Sequence, residues 1–184
     1  MIVFLYKSYR GVTLIELLVA MSVLGILLAV GVPSFSQFST NSRLTSYINL
    51  MHSNLALVRS EAVKRNGRVA ICKSLDGSTC AASGDWDQGW IGFVDFDNDG
   101  TRDGGEEMVF MIPALQTGYS FSGNGNISDY ISFDAQGMTR LTSGATQAGT
   151  FTLCPEAPAV GGVGRQLILS GSGRARIEKI TSCS

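Results

Sequence analysis

The chain of 184 residues is poor in several residue types, and each shortage argues against a class of function. A single histidine, His52, argues against histidine-rich metal sites and against Ser-His-Asp catalysis. Charged residues make up only 16% of the chain and the formal net charge is -1, so no global positive field attracts nucleic acid or anionic lipid. We find no catalytic constellation in the sequence and expect a protein that is not an enzyme.

The same composition shows that the chain folds. Apolar residues make up 45% of it, which excludes a disordered chain. Only four prolines accompany 22 glycines. So many glycines are typical of turns between short strands and argue against an all-helical bundle.

The longest apolar run covers residues 12–32 and carries one charge, Glu16. At a rise of 1.5 Å per residue a helix over this run spans about 30 Å, the thickness of a bilayer core. Lys7 and Arg10 precede it, and positive flanking charge keeps the start of a membrane segment in the cytoplasm. A secretory signal peptide would have a shorter apolar part. We therefore expect a single inner-membrane span whose C-terminal side is periplasmic.

Residues 11–18, GVTLIELL, resemble the leader junction of type IV pilins and pseudopilins. The resemblance implies a leader at 1–11 that a prepilin peptidase cuts after Gly11, and methylation of the new amino terminus at Val12. An acidic side chain inside a membrane costs roughly 2.5 to 3.5 kcal/mol, so Glu16 needs a partner. In the family, that partner is the N-terminal ammonium of a neighbouring subunit in the filament. Residues 12–33 then form a membrane and assembly helix, which Pro33 is expected to kink or locally unwind.

Residues 34–66 are predicted to form an amphipathic periplasmic helix, because apolar residues recur there at steps of three and four. Asn66 and Gly67 are residues that end helices. The apolar positions are Leu44, Tyr47, Ile48, Met51, Leu55, Val58, Ala62 and Val63.

Residues 67–184 are predicted to form a β-rich globular domain. Short β-branched and aromatic segments alternate here with Gly, Asn, Asp and Ser. The fold class is α+β, with a long N-terminal helix packed on an antiparallel sheet. The predicted strands are 68–73, 90–96, 108–112, 130–134, 150–154, 165–169 and 175–180.

The stretch 89–106, GWIGFVDFDNDGTRDGGE, is similar to the body of the GspH/FimT family of minor pilins and pseudopilins. The resemblance implies a type IV pilin fold in which the first half of the helix is transmembrane. It also implies an inner-membrane protein before assembly and a cell-surface pilus, with other pilins as partners, after it.

Four cysteines lie in the part expected to be periplasmic, where disulfides form and persist. Four cysteines allow three pairings. We prefer Cys72 with Cys80, which closes a short loop, and Cys154 with Cys183, which ties the last strand to an earlier one. No CxxC spacing is present, which argues against a redox or zinc site.

An acidic stretch matches the spacing of a calcium loop, with Asp95, Asp97, Asp99, Asp103 and Glu106 as possible Ca²⁺ ligands. An EF-hand needs a helix on each side, whereas both flanks are predicted to be strands. Two interpretations stay open: a metal-free hairpin loop built from Asx turns, which we prefer, and Ca²⁺ bound in another scaffold. No other cofactor is expected.

Charge is segregated along the chain. Between Asp76 and Asp134 there are eleven acidic residues and one basic residue, Arg102. From Arg140 to the end there are five basic residues and two acidic ones. Near-neutrality therefore conceals separate patches, and any polyanion site must be local.

The best local candidate is the segment GSGRARIEK near the C-terminus. Gly173 permits close approach of a phosphate, and Arg174 and Arg176 project to the same side of an extended chain. Their planar donor groups suit phosphate binding without base reading. Lys179 and Arg165 are expected to extend the patch if the strands align.

The string GRAR, residues 173–176, resembles the GRxR motif of the FimT-type minor pilins of natural transformation. The resemblance implies non-specific binding of double-stranded DNA during DNA uptake. The alternative is a structural minor pilin, or a GspH-like pseudopilin, that serves pilus priming or type II secretion without DNA contact. A third interpretation is an adhesin that presents the acidic loop with Ca²⁺.

Overall fold

The computed structural model describes residues 11–156 and 163–183 of the chain. The first ten residues of the expected leader lie outside this part. The chain divides into two compact units, Met1–Ser39 and Thr40–Ser184.

One helix, α1, spans Leu14–Arg65. Thr13 caps its start, since its Oγ1 accepts a hydrogen bond from the backbone N–H of Glu16 at 3.3 Å. At its end, Asn66 adopts a left-handed conformation with φ of 51°. The helix runs past residue 33 without a break, so it is not locally unwound at Pro33, and the kink that was the other expected outcome stays a prediction. A proline inside a helix removes one backbone hydrogen bond, and the surrounding turns retain theirs.

In the first unit, the apolar side chains of α1 are largely exposed. Leu14 is 78% exposed, Ile26 67% and Phe38 69%. Over the residues that the structure describes, no helix is identified as both long enough and apolar enough to cross a membrane. The span expected at 12–33 stays a prediction from the sequence.

Within its described residues, 40–156 and 163–183, the second unit contains eight strands in two antiparallel sheets. The first sheet has the order β3-β2-β1-β5 and the second has the order β4-β6-β7-β8. The strands are β1 (Val69–Lys73), β2 (Gly89–Val94), β3 (Met108–Pro113), β4 (Tyr119–Gly123), β5 (Tyr130–Phe133), β6 (Gly149–Pro155), β7 (Gly164–Leu169) and β8 (Ala175–Ile180).

The second unit has one large hydrophobic core, to which α1 and both sheets contribute. From α1 the buried stripe follows the predicted spacing, except that Val63 is 52% exposed. The buried residues are Leu44, Ile48, Met51, Leu55, Val58 and Ala62. Aromatic side chains fill the space between the sheets. Trp86 and Phe121 each pack against Phe151, with ring centroids 5.2 and 5.3 Å apart. The core lies entirely within Thr40–Ser184.

The structure differs from the prediction in one strand and in the number of sheets. Seven predicted segments are strands, and β4 is an eighth that the pattern missed. Its sequence, YSFSG, offers only two apolar residues, although Tyr119 and Phe121 both point into the core. Strand β4 pairs with β6, and the described strands form two separate sheets where the prediction gave one.

Candidate functional site

The GRxR string lies at the tip of the hairpin that β7 and β8 form. We call residues 170–174 the hairpin tip. The backbone N–H of Gly173 donates to the carbonyl of Ser170, and that of Ser170 donates to the carbonyl of Arg174, both at 2.9 Å. Gly173 has φ of 74°, a conformation that costs other residues about 1 to 2 kcal/mol. The turn therefore requires glycine for its backbone alone.

Arg174 and Arg176 are both exposed. Residue 175 between them is half-buried, so the two arginines project to the same side of the chain, as the sequence predicts. Arg176 lies directly opposite Ile168 on β7. The Nη2 of Arg176 forms an exposed ion pair with the carboxylate of Glu178 at 3.3 Å.

Arg165 does not extend this surface, and that part of the prediction is wrong. Only 5% of Arg165 is exposed. Its guanidinium donates to its neighbour's carbonyl, Gly164, at 3.0 Å and to Thr45 Oγ1 on α1 at 3.4 Å. Lys179 is exposed but lies opposite Arg165 in the β7–β8 register, on the other face from Arg176. The alternation of a strand therefore divides the expected patch in two.

Arg59 on α1, which the sequence pattern did not single out, anchors the hairpin tip. Its Nη1 donates to the carbonyl of Gly173 and its Nη2 to that of Ser172, both at 3.2 Å. These contacts join residues 113 and 114 positions apart. In the sequence, Arg59 is one of several basic residues on a helix, and nothing local distinguishes it.

The acidic loop, residues 95–107, connects β2 and β3, so strands flank it on both sides as predicted. Three carboxylates converge there: one oxygen from each of Asp95, Asp97 and Asp99 lies within 4.8 Å of the others. Asp103 and Glu106 do not join this group among the described residues. The five-ligand set expected from the spacing is therefore reduced to three.

Several carboxylate oxygens of the loop already accept hydrogen bonds from backbone N–H groups. Asp95, which is 1% exposed, accepts the N–H groups of Asp99 at 3.1 Å and Gly100 at 3.3 Å. Glu106, which is not part of the three-carboxylate group, accepts those of Phe96 at 2.7 Å and Asp103 at 3.0 Å. These are the Asx-type contacts of a self-supporting hairpin loop, and the residues fit a cation only in part.

Burial raises the pKa of Asp95 to about 6, and the negative charges of Glu106 and Asp99 add to this. Hydrogen bonds from the N–H of Gly100 and the charge of Arg68 act in the opposite direction.

Both disulfides expected from the sequence are present. Cys72 joins Cys80 with Cα atoms 5.5 Å apart, and Cys154 joins Cys183 with Cα atoms 5.8 Å apart. The second bridge joins β6 to the segment that follows β8, so it ties down the end of β8 that is farther from the hairpin tip. Arg102 links the first disulfide loop to the acidic loop, since its guanidinium donates to the carbonyls of Ser78 at 2.8 Å and Glu106 at 2.9 Å.

A long helix followed by antiparallel sheets is an α+β fold, and two solved structures of type IV pilin-like proteins resemble it. The minor pilin FimU of Pseudomonas aeruginosa is 21% identical and superposes with a TM-score of 0.57, over 80% of this chain and 99% of that one. The minor pseudopilin EpsH of the type II secretion system of Vibrio cholerae is 11% identical, with a TM-score of 0.50, over 74% of this chain and 96% of that one.

Two family models match the sequence. Residues 48–173 match the type II transport protein GspH, and residues 6–32 match the prokaryotic N-terminal methylation motif. Because the GspH model covers more than half of the chain, the chain belongs to the GspH family and is a minor type IV pilin or pseudopilin. Membership implies recognition by a prepilin peptidase, membrane anchoring and association with other pilins in a filament.

Proposed function

We propose that this protein is a minor type IV pilin that binds extracellular double-stranded DNA through Arg174 and Arg176 and serves DNA uptake in natural transformation. Before assembly it spans the inner membrane once, with its start in the cytoplasm. The peptidase cuts after Gly11, Val12 is methylated, and Glu16 pairs with the amino terminus of a neighbouring subunit. Mass spectrometry of the processed amino terminus tests the cleavage site.

The observation that carries the DNA-binding proposal is the pair of exposed arginines, Arg174 on the anchored hairpin tip and Arg176 beside it on β8. Two residues of an extended chain span about 7 Å, so the two guanidinium groups can each meet a separate phosphate. The positions are held by Arg59 at the tip and by the Cys154–Cys183 bridge at the far end. A preformed site loses less conformational entropy on binding.

We expect the protein to bind double-stranded DNA independently of its base sequence. Arginine contacts to phosphates position a protein on the duplex and carry no base information. Two phosphate contacts correspond to a slope of log affinity against log salt of about -1.8. Binding by one subunit is weak, and several subunits in a filament supply avidity.

A second candidate function is structural, with pilus priming or type II secretion and no DNA contact. The position of Arg176 favours it in one respect. Strand β8 lies at the edge of its sheet, and charged side chains on an edge strand prevent pairing with another chain. The Arg176–Glu178 pair serves that purpose without any ligand.

A salt titration separates the two. Full-length protein in non-ionic detergent is titrated into fluorescent duplexes of two unrelated sequences, and anisotropy is measured from low to moderate salt. We compare wild type with Arg174→Gln, Arg176→Gln and the double variant. Arg43→Gln is the matched control, because Arg43 is an exposed arginine of α1.

The proposal expects equal affinity for both duplexes, loss of binding in the double variant, and no change in Arg43→Gln. Wild type that fails to bind at low salt, or a double variant that binds like wild type, overturns it in favour of the structural function. Circular dichroism confirms that each variant folds.

A further inference from the structure

The contact between Arg59 and the hairpin tip joins α1 to two successive peptide groups of the turn. Among the described residues, the two Nη atoms of Arg59 donate to the carbonyls of Gly173 and Ser172 and to no other acceptor. Arg59 is half-buried, so these hydrogen bonds are partly protected from water. A forked donor on two adjacent carbonyls fixes the orientation of the turn.

The orientation matters for the face that the tip presents to solvent. In a trans peptide the carbonyl and the N–H point in opposite directions. The carbonyl of Gly173 points at Arg59 on α1, so the N–H of Arg174 in the same peptide group points away from the helix. Within the described residues, this N–H has no acceptor. Arg174 thus offers a backbone donor as well as a guanidinium.

Two glycines make room for the Arg59 side chain. A Cβ on Gly137 would lie 2.9 Å from Nε of Arg59, and a Cβ on Gly173 would collide with the carbonyl oxygen of Gly137. Both glycines have positive φ, of 72° and 74°. The guanidinium of Arg59 therefore lies close to the backbone at Gly137 and Gly173, where a side chain would leave it too little space.

We propose that Arg59 is a positioning residue for phosphate binding: it holds the Ser172 and Gly173 carbonyls against α1, so that the N–H and side chain of Arg174 face the DNA backbone together. This inference rests on the proposed DNA-binding function. Arg59 touches no phosphate. Its contribution is to keep the turn ordered before DNA arrives.

The competing explanation is simple electrostatics, in which Arg59 adds one positive charge near the tip. Lysine separates the two, because it keeps the charge but presents a single nitrogen instead of a planar fork. Methionine removes the charge and keeps most of the aliphatic stem. We therefore compare Arg59→Lys and Arg59→Met with wild type, Arg174→Gln and the control Arg43→Gln.

The experiment uses the full chain in detergent and three readouts. The first is affinity for a duplex over a range of salt. The second is the slope of log affinity against log salt, which reports how many phosphates are contacted. The third is the NMR order parameter of the Gly173 amide, about 0.85 in rigid backbone and below 0.6 in flexible backbone. Thermal unfolding checks that each variant retains its fold.

We expect Arg59→Lys and Arg59→Met to bind about tenfold more weakly, the cost of ordering one further residue of backbone on binding. Their salt slope stays that of wild type, whereas Arg174→Gln loses about 0.9. The order parameter at Gly173 falls in both Arg59 variants and is unchanged in Arg43→Gln.

Wild-type affinity in Arg59→Lys with weaker binding in Arg59→Met shows a charge effect and overturns the inference. Wild-type affinity in both variants, or an unchanged order parameter at Gly173, also overturns it. If wild type itself binds no duplex, the proposed function fails and the inference fails with it. Failure of the inference alone leaves wild-type binding and its dependence on Arg174 intact.

Discussion

Asp95 and Glu106 stand at opposite ends of the acidic loop, both are buried, and the negative charge of Glu106 helps to raise the pKa of Asp95. The two carboxylates tolerate each other because each accepts backbone N–H groups of the loop between them. The loop is thus built around two carboxylates whose negative charges repel each other. The stability of the protein should therefore depend on pH.

The pKa of Asp95 is about 6 in the folded protein, above its ordinary value of 3.8. The unfolded chain therefore releases this proton first as pH rises. The free energy of unfolding contributed by Asp95 falls between about pH 4 and pH 6, by at most about 3 kcal/mol. We expect urea unfolding in the presence of a chelator to show this loss.

Asp95→Asn is the control for this prediction, since an amide does not titrate. Exposed carboxylates with lowered pKa values, such as Asp129, act in the opposite direction and are present in both proteins. The difference between wild type and Asp95→Asn isolates Asp95. Equal pH dependence in the two proteins would contradict the prediction.

Replacement of Gly173 is expected to destabilise the second unit. Gly173→Ala places a Cβ against the carbonyl of Gly137 and forces a non-glycine residue to φ of 74°. The strain alone costs about 1 to 2 kcal/mol. Gly105→Ala is the matched control, because a Cβ there meets nothing within 4 Å. Chemical denaturation of the two variants should differ by at least this amount, and similar stabilities would show that the turn relaxes.

The two disulfides are expected to contribute unequally. The Cys154–Cys183 bridge closes a separation of 29 residues and the Cys72–Cys80 bridge one of 8. Loop-closure entropy predicts about 3 to 4 kcal/mol for the longer loop and about 2 to 3 kcal/mol for the shorter. Urea unfolding of the two double-serine variants measures both. A larger loss from Cys72→Ser/Cys80→Ser would point to strain or packing in place of loop entropy.

Removal of Glu178 should strengthen DNA binding. Its carboxylate pairs with Arg176 at an exposed site, where such a pair contributes about 0.2 to 1 kcal/mol. Glu178→Gln leaves Arg176 available to a phosphate and removes a repulsive charge. We expect a gain in affinity of about two- to fivefold and a loss of stability of no more than about 1 kcal/mol. A weaker complex would indicate that Glu178 orients Arg176.

The fold could be predicted from the sequence because its signals are local. Apolar residues at steps of three and four predict the buried stripe from Leu44 to Ala62. Turn segments rich in Gly, Asn, Asp and Ser mark the ends of seven of the eight strands in the described residues. Strand β4 was missed since Tyr119 and Phe121 are its only apolar residues, and their burial depends on pairing with β6. The cysteine spacing left three pairings open, and the preferred one is present in the structure.

The candidate site could be predicted only where it depends on adjacent residues. The side shared by Arg174 and Arg176 follows from strand alternation. The position of Arg165 does not, because the register of β7 against β8 and the proximity of Thr45 are tertiary properties. Arg59 was missed for the same reason, since its partners lie more than a hundred residues away.

The Cys154–Cys183 bridge also has a mechanical consequence. The covalent ring that it closes contains β7, the hairpin tip and β8. A load on Arg174 or Arg176 can break hydrogen bonds between the two strands, but it cannot draw β8 out of the protein by its end. Under tension, the hairpin tip therefore remains covalently connected to the protein through both β7 and β8.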